Sequence, residues 1–408
     1  MSVPRSVAAH RQAVVELLTG ATTSNGRLRL PLLEALGKAL AADVHAPLSL
    51  PPFANSQMDG FAVRSADIPD DGAELWVAAP VPAGAEPAAL KSGFAAPIMT
   101  GAMIPDGADA VVPIEKATPN AFPDATARDA VVDLPAVAPG TYVRNRGSDI
   151  EKGALALPAG TLLGPAQLGL LAALGLTAVD VREPLLVLLV TTGDEVVEPG
   201  EELSAGKIYD SNGTLLEASM RQAGLRVVRT GISDDDPASL LTELHRHTRN
   251  TDNPVDLVVT TGGVSKGAYE VVRQAMAGHP VDFLPVAMQP GGPQGLGTFN
   301  GVPFLGFPGN PVSCLVSFEM FLRPALSQVM GTPALRAVRT AILAEPLTSP
   351  EGKHQVRRGS VGADGMLRME GGAGSHLVHA LARANALVQI PVGVTELAAG
   401  AEVEVWML

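Results

Sequence analysis

The chain holds one cysteine, Cys314, which excludes a disulfide framework and a cysteine-built zinc site and suits a reducing compartment. Aromatic residues make up only 4% of it, against 46% hydrophobic residues that can fill cores and so exclude a disordered chain. Basic residues are outnumbered 29 to 42, and a net charge of −13 repels phosphate backbones, so no nucleic-acid partner is expected. No HExxH helix and no GxxxxGK[ST] phosphate loop occurs, and His376 with His379 reads as a surface pair. Gly153 to Val179 carries no charge, but Pro158, Gly160, Gly164, Pro165 and Gln167 interrupt it and leave a helix about half the length of a bilayer span. No membrane span is expected. Near the amino terminus, Arg5, Arg11 and Glu16 break up the apolar groups, so a signal peptide is not expected either, and the expected compartment is the cytoplasm.

What is abundant is backbone punctuation. The 43 glycines and 34 prolines among 408 residues imply many short elements, and this length exceeds one hydrophobic core. Val7, Val14, Leu17 and Leu18 share a helical face, and a second helix is expected over Pro31–Ala42. From about 47 to 145, short β-branched runs between Gly, Pro and Asp clusters predict a β-rich insertion. Beyond 180, strand patterns at Leu185–Val190, Leu225–Ile232, Val255–Thr260 and Val281–Val286 alternate with helical stretches near 212–223, 237–248 and 267–277. That alternation predicts a mostly parallel sheet with helices on both faces and ligands at its carboxyl edge. A further helix over about 312–330 leads into strand-like runs that predict a C-terminal β domain.

Three predicted strand ends carry polar loops: Thr191-Thr192-Gly193-Asp194-Glu195, Ser233-Asp234-Asp235-Asp236-Pro237 and Thr261-Gly262-Gly263-Val264-Ser265. On one sheet edge their carboxylates can hold Mg²⁺, while the glycine turn and a helix amino terminus receive phosphate oxygens. The plainer alternative is that Asp and Ser only cap the helices that follow. Gly263-Val264-Ser265-Lys266-Gly267 also fits the GxSxG elbow of a serine hydrolase, with His279, His354, His376 and His379 available downstream. The extra Gly262 and the lack of an HGGG-type segment count against that alternative. Gly292-Pro293-Gln294-Gly295-Leu296-Gly297 has the wrong spacing for dinucleotide binding. Asn310 and Pro311 read as the cap and first position of a helix whose free amides make an anion site.

Taken together, Ser56-Gln57-Met58-Asp59-Gly60-Phe61-Ala62, Thr100-Gly101, Gly107-Ala108-Asp109-Ala110-Val111-Val112, Arg146-Gly147-Ser148-Asp149-Ile150, Thr192-Gly193-Asp194-Glu195, Tyr209-Asp210-Ser211-Asn212, Gly262-Gly263-Val264-Ser265 and Pro308-Gly309-Asn310-Pro311-Val312-Ser313 resemble the molybdopterin molybdenumtransferase family, the MoeA and gephyrin E-domain type. The order of these motifs spans nearly the whole chain.

The resemblance implies a multidomain α/β and β fold: an α/β molybdopterin-binding domain (1–26 and 180–330), a small linker domain (27–46 and 146–179), a β-rich insertion (47–145) and a C-terminal β domain (331–408). It implies a homodimer whose active site lies between the α/β domain of one subunit and the insertion of the other. The implied reaction joins molybdate to adenylated molybdopterin, giving molybdenum cofactor and AMP with Mg²⁺ as the metal. A molybdopterin adenylyltransferase and apo-molybdoenzymes are the implied macromolecular partners.

By the same likeness Asp59, Thr100, Asp149, Glu195 and Asp235 occupy catalytic positions, and Glu195, Asp235 and Glu270 the metal site. Pterin binding falls to Asp194, Asp210, Ser211, Asn212, Gly262, Gly263, Val264, Ser265, Lys266, Pro290, Pro293, Asn310, Pro311 and Ser313.

The chain departs from the family pattern in two ways. Glu270 stands where Asp is usual, which keeps the charge and lengthens its reach. Gln289-Pro290-Gly291-Gly292-Pro293 replaces a Lys-Pro-Gly-Lys-Pro loop and so lacks both lysines. Lys266 is the expected replacement cation, its plainer alternative being a solvated charge at a helix start, and Arg357, Arg358 and Ser375 are further oxyanion contacts by position alone, with structural or solvated roles the favoured reading. The lost lysines keep open a second function, that of a weakened paralogue that binds and carries molybdopterin.

Overall fold

In the computed structural model the described residues are 3–21, 26–123, 129–232, 236–250, 252–265 and 270–408. They divide into two compact units, Met1–Leu28 with Gly37–Ala39 and Asp180–Leu408, and Arg29–Leu36 with Leu40–Val179.

The first unit is built on a six-stranded sheet in the order Arg226–Ile232, Leu186–Thr192, Leu257–Thr261, Val302–Phe307, Pro293–Phe299, Val281–Pro285. The first four strands are parallel, and the last two run antiparallel to their neighbours. The sheet is mostly parallel, as expected, with five strands in one direction and Pro293–Phe299 alone reversed. The cause is a hairpin: Asn300 and Gly301 both take positive φ, 51° and 82°, the pairing that matches strand twist in a two-residue turn. It turns Pro293–Phe299 straight back as Val302–Phe307. The glycine-rich run at 292–297 is thus mostly strand.

Residues 186–192 are all buried, as a strand covered on both faces requires. Val187 and Leu189 join Val14, Leu18, Leu216, Met220 and Phe318 on one side. Leu188 and Val190 join Leu240, Leu244, Val271 and Val272 on the other. Helices Val7–Ala21, Ser211–Gln222, Pro237–Thr248 and Val271–Ala275 supply these faces. Pro311–Met330 is helical throughout, with a π turn at Phe318–Leu322 where Glu319, fully buried, pairs with Arg323 and Arg336.

The carboxy-terminal strands Val338–Leu343, His354–Val361, Met366–Met369, Ala386–Ile390 and Glu402–Met407 close on themselves through the pairing of His354–Val361 with Ala386–Ile390. Leu343, Leu367, Val388 and Val405 fill that core. Met288–Gln289 adds a short parallel strand, with Met288 opposite His354 and Gln289 opposite Gln355. This pairing anchors the loop that lacks lysines.

The second unit holds a five-stranded sheet in the order Ala110–Pro113, Gly60–Val63, Phe94–Ile98, Ala73–Val77, Val131–Leu134. Phe61 and Val112 pack on one side of it, Ala62 and Val111 on the other. The helix expected over Pro31–Ala42 does not form. Only Leu32–Ala35 makes a single turn, because Leu36 leaves the helical region and Gly37 takes a positive φ of 74°. The uncharged segment does yield a short helix, Pro165–Ala173, and no helix of the described residues is long and apolar enough to cross a membrane.

Candidate active site

In the parallel part of the sheet the chain runs from strand Leu186–Thr192 outward to Arg226–Ile232, then returns to the opposite side as Leu257–Thr261. The connections leave in opposite directions at the carboxyl ends of the two central neighbours, and the gap between them is where open α/β sheets place ligands. A cleft of about 1080 Å³ lies there.

Its floor is glycine. Gly262 and Gly263 take φ of 95° and 61°, and a Cβ would fall 2.8 Å from Thr192 O at the first and 2.8 Å from Val272 N at the second. Only glycine lets the strand end turn this tightly. Ser265 N donates to Glu270 Oε2 at 2.9 Å, so the loop folds onto the carboxylate of the residue that opens the next helix. On the neighbouring wall Asn212 Nδ2 donates to Gly309 O at 2.6 Å and to Thr261 Oγ1 at 3.4 Å, while its Oδ1 is buried without a partner. Asp210 caps helix Ser211–Gln222 through Gly213 N at 2.8 Å.

Most of the residues expected to bind pterin or metal line this one cleft: Glu195, Asp210, Ser211, Asn212, Gly262, Gly263, Val264, Ser265, Glu270, Pro290, Pro293, Asn310, Pro311 and Ser313. Asp194 is not on the wall, although its carbonyl accepts from Lys207 Nζ. Ser233, Asp234, Asp235 and Lys266 lie outside the described residues. Asp236 caps its helix through Ala238 N at 3.0 Å, as the plainer reading of that loop has it.

Asn310 opens helix Pro311–Ser317, yet its side chain makes no capping bond and stays on the cleft wall. Of the amides there, Val312 N is taken by Ser375 O at 3.0 Å. Asp59, Thr100 and Asp149 belong to the second unit, where Asp59 Oδ1 accepts from Thr100 N and Oγ1. Those bonds, the backbone one first, hold the Asp59 carboxyl below its ordinary range.

Among the described residues His376 is the histidine that lines the cleft with Ser265, and no hydrogen bond joins the two. The His279 ring lies 4.7 Å from Phe299, His354 bonds Gln389, and His376 and His379 are exposed. Arg357 and Arg358, neighbours in one strand and so on opposite faces of it, both bond backbone carbonyls, the structural role that is the favoured reading of them. Arg357 donates to Gly371 O at 3.3 Å, and Arg358 donates to Gly374 O at 3.1 Å and to Gly372 O. They brace the loop that brings Gly374 and Ser375 to the cleft.

Two parts of the wall have no local sequence signal. One is Lys353, the described lysine that lines the cleft, delivered by the strand beside Gln289. The other is the flap of Val196, Ile208 and Tyr209, in which Val196–Val197 pairs with Ile208–Tyr209. The loop at 289–293 is held by Gln294 Nε2, which donates to Gly291 O and Ser317 Oγ, and by Gln355 Nε2, which donates to Gln289 Oε1. It supplies polar groups but no charge.

Fold and cleft define an open α/β sheet with a polar, glycine-floored cleft at its strand ends. Profiles of the MoeA N-terminal region (domain I and II), a probable molybdopterin binding domain and the MoeA C-terminal region (domain IV) match residues 5–175, 188–328 and 340–408. Molybdopterin molybdenumtransferase 2 of Mycobacterium tuberculosis is 43% identical over 422 residues, covering 99% of this chain and all of its own. Molybdopterin molybdenumtransferase of Haemophilus influenzae is 34% identical over 367 residues and 88% of each chain. The crystal structure of a molybdopterin biosynthesis MoeA protein from Pyrococcus horikosii superposes with a TM-score of 0.82 at 31% identity, covering 100% of this chain and 99% of that one. The chain belongs to the MoeA family of molybdopterin molybdenumtransferases, enzymes of molybdenum cofactor biosynthesis.

Proposed function

We propose that this enzyme inserts molybdate into adenylated molybdopterin, forming molybdenum cofactor and releasing AMP. The observation that carries the reading is the convergence on one cleft of a tight glycine turn, the unpaired Asn212 Oδ1 and two carboxylates, Glu195 and Glu270. The loop amides suit a pterin phosphate, and Asn212 Oδ1 suits a ring N–H, because a buried acceptor left unpaired costs about 1–3 kcal/mol.

Mg²⁺ fits this donor set. It binds hard oxygens, keeps several waters and commonly takes one or two protein carboxylates with substrate phosphates. Among the described residues no three acidic, histidine or cysteine side chains converge, so Glu195 and Glu270 are the described groups that would hold it, with Asp235 as the third expected. When bound, the ion neutralises charge that develops on a cleaving phosphoanhydride. The chain's own residues bind and orient: the Gly263 and Val264 amides hold phosphate oxygens, and Lys353 offsets an incoming oxyanion beside the two carboxylates.

The same reading takes the working form to be a cytoplasmic homodimer, with Asp59, Thr100 and Asp149 of one copy completing the site of the other. It also takes the four-part domain division and the exchange with an adenylyltransferase and apo-molybdoenzymes that the likeness implies. A single incubation tests the reaction: purified protein with adenylated molybdopterin, Mg²⁺ and varied molybdate. AMP release that rises with molybdate is expected. Pterin binding without AMP release would make the chain a carrier instead.

A further inference from the structure

A charged clasp outside the cleft holds its outer wall. Arg229, in strand Arg226–Ile232 at the edge of the sheet, is not among the lining residues. Its Nη2 donates to Asp210 Oδ2 at 2.8 Å and to the two oxygens of Glu198 at 2.8 and 2.9 Å. Its Nη1 reaches Thr214 Oγ1 at 3.4 Å and stands 3.9 Å from Glu217 Oε2. One guanidinium thus ties the sheet edge to the first turn of helix Ser211–Gln222 and to the flap. Glu198 directly follows the flap strand Val196–Val197, and Asp210 follows its partner Ile208–Tyr209.

A second observation is independent of these bonds. Gly213 sits inside helix Ser211–Gln222, where any ordinary residue would serve the helix better. A Cβ at that position would fall 2.4 Å from Arg229 Nε and 2.4 Å from Asp210 Oδ2. The guanidinium occupies the space of the missing side chain, and the glycine is its complement.

The charges give the clasp its importance. The Asp210 side chain is 3% exposed, and Arg229 is its ion-pair partner. Removing the cation leaves a buried carboxylate uncompensated beside the cleft and frees the Glu198 end of the flap. Lysine cannot replace it fully, because an ammonium lacks the planar fork that grips two carboxylates at once.

We propose that Arg229 is a positioning residue for the pterin site. By gripping Asp210 and Glu198 together it fixes the helix amino terminus and the flap against which the substrate binds, without touching substrate. This rests on the reading of the cleft as the pterin site.

The test uses the full chain and follows AMP release from adenylated molybdopterin alongside thermal unfolding. Arg229→Ala should raise KM about tenfold with kcat changed less than about twofold, the loss expected for one charge-assisted contact, and Arg229→Lys should recover only part of it. Glu198→Gln, at a side chain 54% exposed, should raise KM without lowering the melting temperature. Gly213→Ala should lower the melting temperature of the wild-type chain more than that of Arg229→Ala, where the collision with the guanidinium is gone and the one with Asp210 Oδ2 remains. Wild-type KM in Arg229→Ala, or in Glu198→Gln should Arg229→Ala not fold, overturns the proposal, as does a Gly213→Ala loss that is as large in Arg229→Ala as in the wild-type chain. A wild-type chain that neither binds nor turns over the pterin overturns the functional reading instead, and the Gly213–Arg229 stability cycle is still measurable in that case.

Discussion

Asp59 Oδ1 accepts two hydrogen bonds from one residue, Thr100, at 2.6 Å from its backbone N and 2.7 Å from its hydroxyl. The two residues are 41 positions apart. Both bonds favour the ionised carboxylate, so Asp59 stays charged at pH values where an ordinary Asp begins to protonate. The sign follows: the contribution of this pair is present above the ordinary Asp range and is lost as pH falls through the lowered value. Asp59→Asn should cut kcat on the order of a hundredfold, the scale of a positioned acid–base group. Thr100→Ala should cost less, and the double variant no more than Asp59→Asn alone, because residues that act as a unit are not additive. Steady-state AMP release measures all three.

Gly263→Ala should fold less stably and bind pterin poorly. Its φ of 61° penalises any Cβ by about 1–2 kcal/mol, and the added atom would stand 2.8 Å from Val272 N. Denaturant melts and pterin titration read the two effects separately.

Lys353→Ala should raise the KM for molybdate about fivefold, the scale of one exposed ionic contact, and make the remaining affinity less sensitive to salt. Lys353→Arg should retain most of the wild-type value. Molybdate titrations at low and high ionic strength provide the comparison.

His10 should make stability fall in mild acid. It is 1% exposed, stacks edge-on against Phe321 at 4.6 Å, and burial with the nearby Arg5 charge lowers its pKa to about 4 from 6.5. The unfolded chain takes up a proton below about pH 6.5 while the folded one stays neutral to about 4, so stability is lost as pH falls through that window. The shift corresponds to about 3 kcal/mol. Urea unfolding across the window should show a slope that His10→Leu flattens.

Cys314 should resist thiol reagents in the native protein. Burial pushes its pKa up to about 12, and its Sγ lies 2.8 Å from Pro308 O and 2.9 Å from Thr261 Oγ1. Alkylation should proceed only under denaturing conditions, as mass spectrometry with and without urea would show.

Much of the cleft was readable because its chemistry is written in contiguous loops. Thr261-Gly262-Gly263 announces a tight turn by its glycines, and strand Leu186–Thr192 announces itself by an apolar run. The Asn300–Gly301 pair carries a hairpin signal of its own, and that turn reverses the one opposed strand, Pro293–Phe299. Lys353 and the Arg229 clasp were not readable. Neither has a distinctive neighbour in sequence, and each acquires its place through pairing across long separations, His354 with Met288 and Arg229 with Asp210.

Composition, hydrophobic period and ordered motifs were enough for the family, the α/β and β character and the loops that meet at the strand ends. Each of those rests on interactions between residues close together along the chain. Folding settled what depends on distant segments. It turned the Arg357 and Arg358 side chains into braces for the 371–374 loop, and it brought Lys353 beside a loop without lysines. It also spent Gly213 on making room for a guanidinium. Side-chain direction and charge partners follow from packing in three dimensions, and a linear pattern carries no record of which strand will lie next to which.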